Sequence, residues 1–302
     1  MPPRHVRPSG TAGSGFTELS SGIADFAVFT KESLISLSTR TDSDAQKNKL
    51  VAIASIPQAV THALVSLKSS SIDSPAKMSG RKYYKLGGRT HEAGMVSAMI
   101  KNDGGSGEWE GIESPDNMTY LDTLLENFKG QVDFLWMFMN WEGVLANRAG
   151  HELNIFEFED YKVPYGFSPI IVAHSSFLEK NPKLVQDFLA ATEKGFQYLA
   201  AHPVESAAIV FKLGNQDSIS KPLKELLDLD MLIESCTYMS TRVLDANGRW
   251  GRMKPEWWND LLDWLNANKM LDNKTSDNDE NYVLVSRDSI KADDLFTNKY
   301  FV

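Results

Sequence analysis

Short apolar runs that hand over to helices constrain this chain more than any other feature. Ala24–Phe29 (ADFAVF), Leu50–Ile56 (LVAIASI), Ala63–Leu67 (ALVSL) and Val132–Met139 (VDFLWMFM) have the length of buried strands, not of helices. Arg81–Leu86 and Glu152–Phe158 add two more strands, and Pro169–Val172 begins another. Between them, apolar residues recur at helical spacing. Met95, Val96, Met99 and Ile100 share one face, as do Leu121, Leu124, Leu125 and Phe128 in Met118–Phe128. From Ser176 onward the chain reads as nearly all helix. Leu184, Val185, Phe188, Leu189, Phe196 and Leu199 mark one helix; Val204–Leu213, Lys221–Tyr238 and Pro255–Asn266 are further ones. Alternating strands and helices predict an α/β fold with parallel-rich sheets flanked by helices. In such sheets, ligands sit at the carboxyl ends of strands, close to helix N-termini.

The 302 residues suit one large domain or two lobes. A net charge of −9 argues against nucleic acid as a partner, because phosphate neutralisation needs clustered Lys and Arg. The single cysteine, Cys236, excludes an intrachain disulfide and a cysteine metal cluster, and reads as a small buried hydrophobe. No apolar run reaches the roughly 18 residues of a membrane helix, so no direct membrane insertion is expected. Residues 1–15 are basic and rich in Pro, Gly and Ser, without the apolar stretch of a secretory signal. A disordered tail is expected there, and a cytoplasmic location for the chain as written. The six histidines form no i, i+4 pair, and no G-x-S-x-G elbow exists. Neither a metal site nor a catalytic constellation is indicated.

Three strand-to-helix junctions carry chemistry. In Thr30-Lys31-Glu32-Ser33, a carboxylate and hydroxyls follow a strand. Glu32 and Ser33 are candidate ligand contacts, against the plainer reading of an N-cap with solvated charges. In Gly87-Gly88-Arg89-Thr90, paired glycines admit a ligand to the backbone and a helix start offers free N–H groups, although a tight turn explains them equally well. Asn140, Trp141 and Glu142 close the most apolar strand. A ring plus a carboxylate suits a flat, amine-bearing heterocycle; packing explains most of the neighbouring aromatics. Tyr165, in Pro164-Tyr165-Gly166-Phe167, offers another stacking ring.

These residues lie within a longer pattern: ELSSGIADFAVFTKES, KMSGRKYYKLGGRTHEAGM, VDFLWMFMNWEGV, ELNIFEFEDYKVPYGFSPIIVAHSSFLEKNPKLVQDFLAATEKGF, GRWGRMKPEWWNDLLDWL and LFTNKYF, in that order. From about residue 16 to the end, the chain resembles the SsuA-like and thiamine-pyrimidine-synthase family. It looks most like the branch that binds formylaminopyrimidine and hydroxymethylpyrimidine. The resemblance implies a two-lobed type II periplasmic-binding-protein-like fold. Residues 16–68 and 170–302 would form lobe 1 and residues 72–168 lobe 2. Glu32, Ser33, Gly87, Gly88, Arg89, Thr90, Asn140, Trp141, Glu142 and Tyr165 would line the cleft. Members of the family usually open with a strand and helix carrying an N-W-x-P-N-x-x-H-like segment. No counterpart stands in this sequence, so the expected fold lacks that first unit. A truncated start would also make the location periplasmic or extracellular.

The expected function is binding of a thiamine-related aminopyrimidine for precursor uptake or salvage, without catalysis and without a cofactor. An ABC transporter permease is the implied partner. The alternative is the synthase branch, which makes hydroxymethylpyrimidine phosphate using pyridoxal phosphate on a lysine, a histidine and a Cys-rich iron motif. Here Phe29 stands at the position matching that lysine and Ser33 at the histidine's, and the Cys cluster is absent. Lys31 lies nearby but out of register. Binding therefore ranks above synthesis.

Overall fold

The computed structural model describes residues 14–38, 49–85, 91–113, 131–216, 228–271 and 286–302. In chain order the elements are α1 (Ser14–Ser20), β1 (Ala27–Phe29), α2 (Lys31–Ser38), β2 (Leu50–Ser55), β3 (His62–Leu67), β4 (Lys82–Tyr84), α3 (Glu92–Asn102), β5 (Glu110–Ile112), β6 (Phe134–Phe138), α4 (Val144–Arg148), β7 (Leu153–Phe156) and β8 (Ile170–His174). Helices follow: α5 (Ser175–Lys180), α6 (Pro182–Ala201), α7 (Pro203–Gln216), α8 (Leu229–Ser240), α9 (Pro255–Ala267) and α10 (Ala292–Leu295).

The strands form two sheets, ordered β1-β8-β2 and β5-β4-β6-β3-β7. β8 runs antiparallel to both β1 and β2; β3 runs antiparallel to both β6 and β7; β4 pairs parallel with β5 and β6. The α/β architecture is as the alternation predicts, but the ladders are more mixed than a parallel-rich reading implies. The cause is topological. β3 and β8 are the strands laid down as the chain passes between sheets. Each runs against all the others in its sheet and sits inside the strand order, so it turns most neighbouring ladders antiparallel.

β3 also shifts a boundary. Ala63–Leu67 follows β2 in sequence and reads as part of lobe 1. Its backbone pairs with β6 and β7, so the first crossing precedes His62.

Alternation along the strands explains the layering. On β8, Ile170 and Val172 face a cluster with Leu34, Ile35, Trp258 and Leu261, whereas Ile171 and Ala173 face Leu178, Val185, Leu189 and Trp250. On β6, Phe134 and Trp136 join the first of these clusters, while Leu135 and Met137 face Ala63, Val65 and Ala146. Helices thus cover both faces of the first sheet, and one cluster is shared by the two sheets. Each large side chain so buried contributes roughly 1.5–3 kcal/mol.

After β6 the chain makes a π turn over Met139–Gly143 and only then the α4 turns. Such turns recur at functional sites. Ser14 and Gly15, read as tail, begin α1. Residues 1–13, the Met118–Phe128 helix and the start of the Lys221–Tyr238 helix lie outside the described residues.

Candidate functional site

β1 ends at Phe29, and Thr30 turns the chain into α2. The Thr30 hydroxyl donates to Ser33 Oγ at 2.8 Å, and Thr30 Oγ1 accepts from the Ser33 N–H at 3.3 Å. This is an N-cap, and it occupies the Ser33 hydroxyl. Lys31 and Glu32 then take the first two helical positions. A cation at a helix N-terminus opposes the helix dipole. Lys31 is nevertheless 0% exposed, and Glu32 2%.

Lys31 Nζ makes no hydrogen bond among the described residues. It lies 4.1 Å from the Phe167 ring centre and 5.9 Å from that of Tyr165. Burial pushes this amine down to about 7; Glu32, Glu159 and Asp260 pull it back up only in part. It therefore changes charge close to neutrality.

Glu32 Oε1 accepts a hydrogen bond from the Tyr165 hydroxyl at 2.9 Å. Tyr165 belongs to the segment returning from β7 to β8. The His62 ring meets Tyr165 edge-on at 4.5 Å and lies over Trp136 at 5.7 Å. His62 pairs with Phe138 across the β3–β6 ladder. The Phe138 N–H donates to Glu142 Oε2 at 2.9 Å. Glu32, Tyr165, His62, Phe138 and Glu142 thus form a line of direct neighbours from the start of α2 to the π turn after β6.

Beside this line lies a pocket of about 140 Å³ at the crossings between the sheets. Lys31 enters it from α2, and Gln58, Ala59 and Val60 come from the first crossing. Pro164, Gly166 and Phe167 come from the second crossing, Glu159 from the turn after β7, and Trp257 and Asp260 from α9. The crossings are tied to each other by the Ile56 N–H donating to the Pro169 carbonyl at 3.0 Å. Trp258, Leu261, Leu262 and Leu265 of α9 are buried, which places Trp257 and Asp260 at the border of that stripe.

Phe167 and Trp257 form the aromatic wall, with centres 4.4 Å apart. Gln58 Nε2 is buried and makes no hydrogen bond among the described residues. Partial burial pushes the Glu159 carboxyl up, against the pull of Lys31. Gly166 has φ +56°, and a Cβ there would lie 3.0 Å from Glu159 Oε1 and 3.8 Å from Lys31 Nζ. Its missing side chain leaves the space in front of the amine open.

The structure brings Glu32 and Tyr165 together at the pocket's edge and connects Glu142 to them through β6 and β3. Asn140 is half-buried in the π turn. Trp141 packs elsewhere, against Val144, Ala207, Met231, Leu232 and Cys236. Gly87, Gly88, Arg89 and Thr90 lie outside the described residues. Sequence reasoning passed over Gln58, His62, Trp257 and Asp260, and set Lys31 aside. The signal available for Lys31 was a cation at the first position of a helix, where the dipole disfavours it. Among the described residues, no group of three or more His, Cys, Asp or Glu could hold a metal ion. Nor is any described helix long and apolar enough to cross a membrane.

Two α/β sheets joined by paired crossings, with a pocket at the crossings, define a type II periplasmic-binding-protein-like fold. The periplasmic aliphatic sulphonate binding protein SsuA of Escherichia coli aligns with 85% of this chain and 79% of its own, with a TM-score of 0.60 at 14% identity. A sulfonate-binding protein SsuA of Methylobacillus flagellatus KT aligns with 94% and 75%, with a TM-score of 0.56 at 15% identity.

The chain belongs to the NMT1/THI5-like family, whose profile matches residues 6–206. Over 224 residues it is 23% identical to the formylaminopyrimidine-binding protein of Halalkalibacterium halodurans. That match covers 74% of this chain but only 64% of the relative's length.

Proposed function

We propose that this chain binds a thiamine-related aminopyrimidine, of formylaminopyrimidine or hydroxymethylpyrimidine type, in the pocket between the two sheets. The pocket's composition carries this reading: two aromatic rings, Phe167 and Trp257, tilted at 37° to each other, and two carboxylates, Glu159 and Asp260, line the same space. A flat ring stacks on the former, and its exocyclic amine donates to the latter. The similarity to a formylaminopyrimidine-binding protein points the same way. Glu32 and Tyr165, locked to each other, fix the wall behind Lys31. Contacts from both sheets at once would favour a closed state, with the two crossings as hinge. The protein would deliver its ligand to an ABC transporter permease for uptake or salvage, in a periplasmic or extracellular setting.

Isothermal calorimetry with 4-amino-2-methylpyrimidines tests the reading. Saturable heat from at least one of them, reduced in Trp257→Ala, is expected. No heat from any of them would end it.

Synthase activity has one observation in its favour, the lowered amine of Lys31. The pocket does not otherwise suit pyridoxal phosphate. Glu159 and Asp260 at the rim oppose a doubly charged phosphate, and Lys31 is the only basic residue among the described residues that line it. An absorbance change on mixing with pyridoxal phosphate, lost in Lys31→Met, would revive that alternative.

A further inference from the structure

We infer that α8 is a clasp arm, which grips Trp141 and Arg148 and so holds the bodies built around the two sheets closed on each other by contacts that need no ligand. The clasp goes beyond the binding role proposed above and does not depend on it.

α4 joins β6 to β7 of the five-stranded sheet, whereas α7 and α8 follow β8 of the three-stranded one. They nevertheless share one apolar cluster. Val144 packs with Ala207, Met231, Leu232 and Cys236, and Trp141 and Leu145 lie against them. This cluster is separate from the one that runs through the second crossing, which holds Val163, Tyr165 and Phe167. A polar lock sits beside it. Arg148 Nη1 donates to Glu234 Oε1 at 2.9 Å, and Nη2 donates to Asp228 Oδ2 at 2.5 Å. Asp228 is the N-cap of α8: its Oδ1 accepts from the Asp230 N–H at 2.9 Å, which leaves Oδ2 for Arg148. One planar guanidinium thus spans two carboxylates of a single helix. The ion pairs are partly exposed and modest one by one. The apolar cluster beside them adds to their hold.

The other end of α8 is tied to the first crossing, where the Gln58 N–H donates to the Arg242 carbonyl at 2.7 Å. At 1.5 Å per residue, the 12 residues of α8 span about 18 Å. The helix therefore reaches from the hinge to the opposite body. An opening rotation about the crossings moves its Asp228 end most, breaking the Arg148 pairs and parting Trp141 and Val144 from Met231 and Cys236.

The chain carries its own probe. Cys236, its single cysteine, lies in the clasped cluster at 7% exposure, and burial holds its thiol pKa up. Alkylation by iodoacetamide, a neutral reagent, is followed in the full chain with no pyrimidine added, beside small-angle scattering and circular dichroism. Arg148→Glu sets a third carboxylate against Asp228 and Glu234. Cys236 should then react about tenfold faster and the radius of gyration should rise, with the circular dichroism spectrum unchanged. A carboxylate near a thiol raises its pKa and slows alkylation, so the faster rate reads opening. The charge swap Arg148→Glu/Glu234→Arg should bring both readouts back toward wild type. Arg148→Gln should fall between wild type and the reversal, and it carries the test if the reversal does not fold. Alkylation no faster in either single variant would overturn the inference. So would faster alkylation at an unchanged radius of gyration, which marks fraying of α8 alone, or a charge swap that restores neither readout.

Discussion

Lys31 Nζ rests 4.1 Å from the centre of the Phe167 ring, so a fully buried ammonium faces an aromatic plane where a hydrogen-bond acceptor would ordinarily stand. The arrangement is costly to stability. The amine's pKa falls from 10.5 to about 7 on folding, a penalty of about 5 kcal/mol when the group is charged in both states.

The sign of the pH effect follows. Between pH 7 and 10.5 the unfolded chain holds a proton on Lys31 that the folded chain has released, so stability gains from this group as pH rises through that window. Glu32, Glu159 and Asp260 face the same amine and pull its pKa back up only in part. Lys31→Met removes the contribution. Urea midpoints of wild type and variant should therefore differ most at pH 6, with the variant the more stable, and converge toward pH 10. A difference that stays constant with pH would mean that Lys31 is solvated in solution.

How much of this could be read from the sequence depends on locality. The strand runs are local, and β2, β6 and β8 lie where their apolar stretches place them. Pairing is not local: nothing within Ala63–Leu67 says that it belongs beside β6 and β7. The Thr30–Ser33 cap is a four-residue pattern and was legible. So was Glu32 as a group at a strand's end, and Tyr165 as a ring on the return segment. Lys31 was not, because a charge beside another charge reads as a solvated face, and only Phe167, 136 positions away, shows it to be buried. Trp141 has a non-local neighbourhood too. It sits at a strand's end where ligands bind, yet the π turn aims it at α7 and α8.

Tyr165→Phe deletes the hydroxyl that donates to Glu32 Oε1 at 2.9 Å, both residues being buried. Losing a buried hydrogen bond to a carboxylate costs about 1–3 kcal/mol. Equilibrium unfolding should show a loss of that size with an unchanged m-value. An unchanged midpoint would show that the contact contributes nothing to stability.

Gly166→Ala combines two penalties. At φ +56° an alanine is strained by about 1–2 kcal/mol, and its Cβ would press on Glu159 Oε1 at 3.0 Å. The variant should unfold earlier and also bind aminopyrimidine more weakly, because the methyl enters the space in front of Lys31. Wild-type affinity in a folded Gly166→Ala protein would place the ligand away from this pocket.

The two tryptophans separate stability from binding. Trp257→Ala removes half of the aromatic wall of the pocket, and Trp141→Ala opens a cavity against Val144, Ala207 and Met231. The first should lower ligand affinity about tenfold or more, the second should lower stability by about 2–4 kcal/mol with affinity within a few-fold of wild type. Calorimetry on both, each checked for folding by circular dichroism, reads the contrast. The reverse pattern would move the site to the π turn.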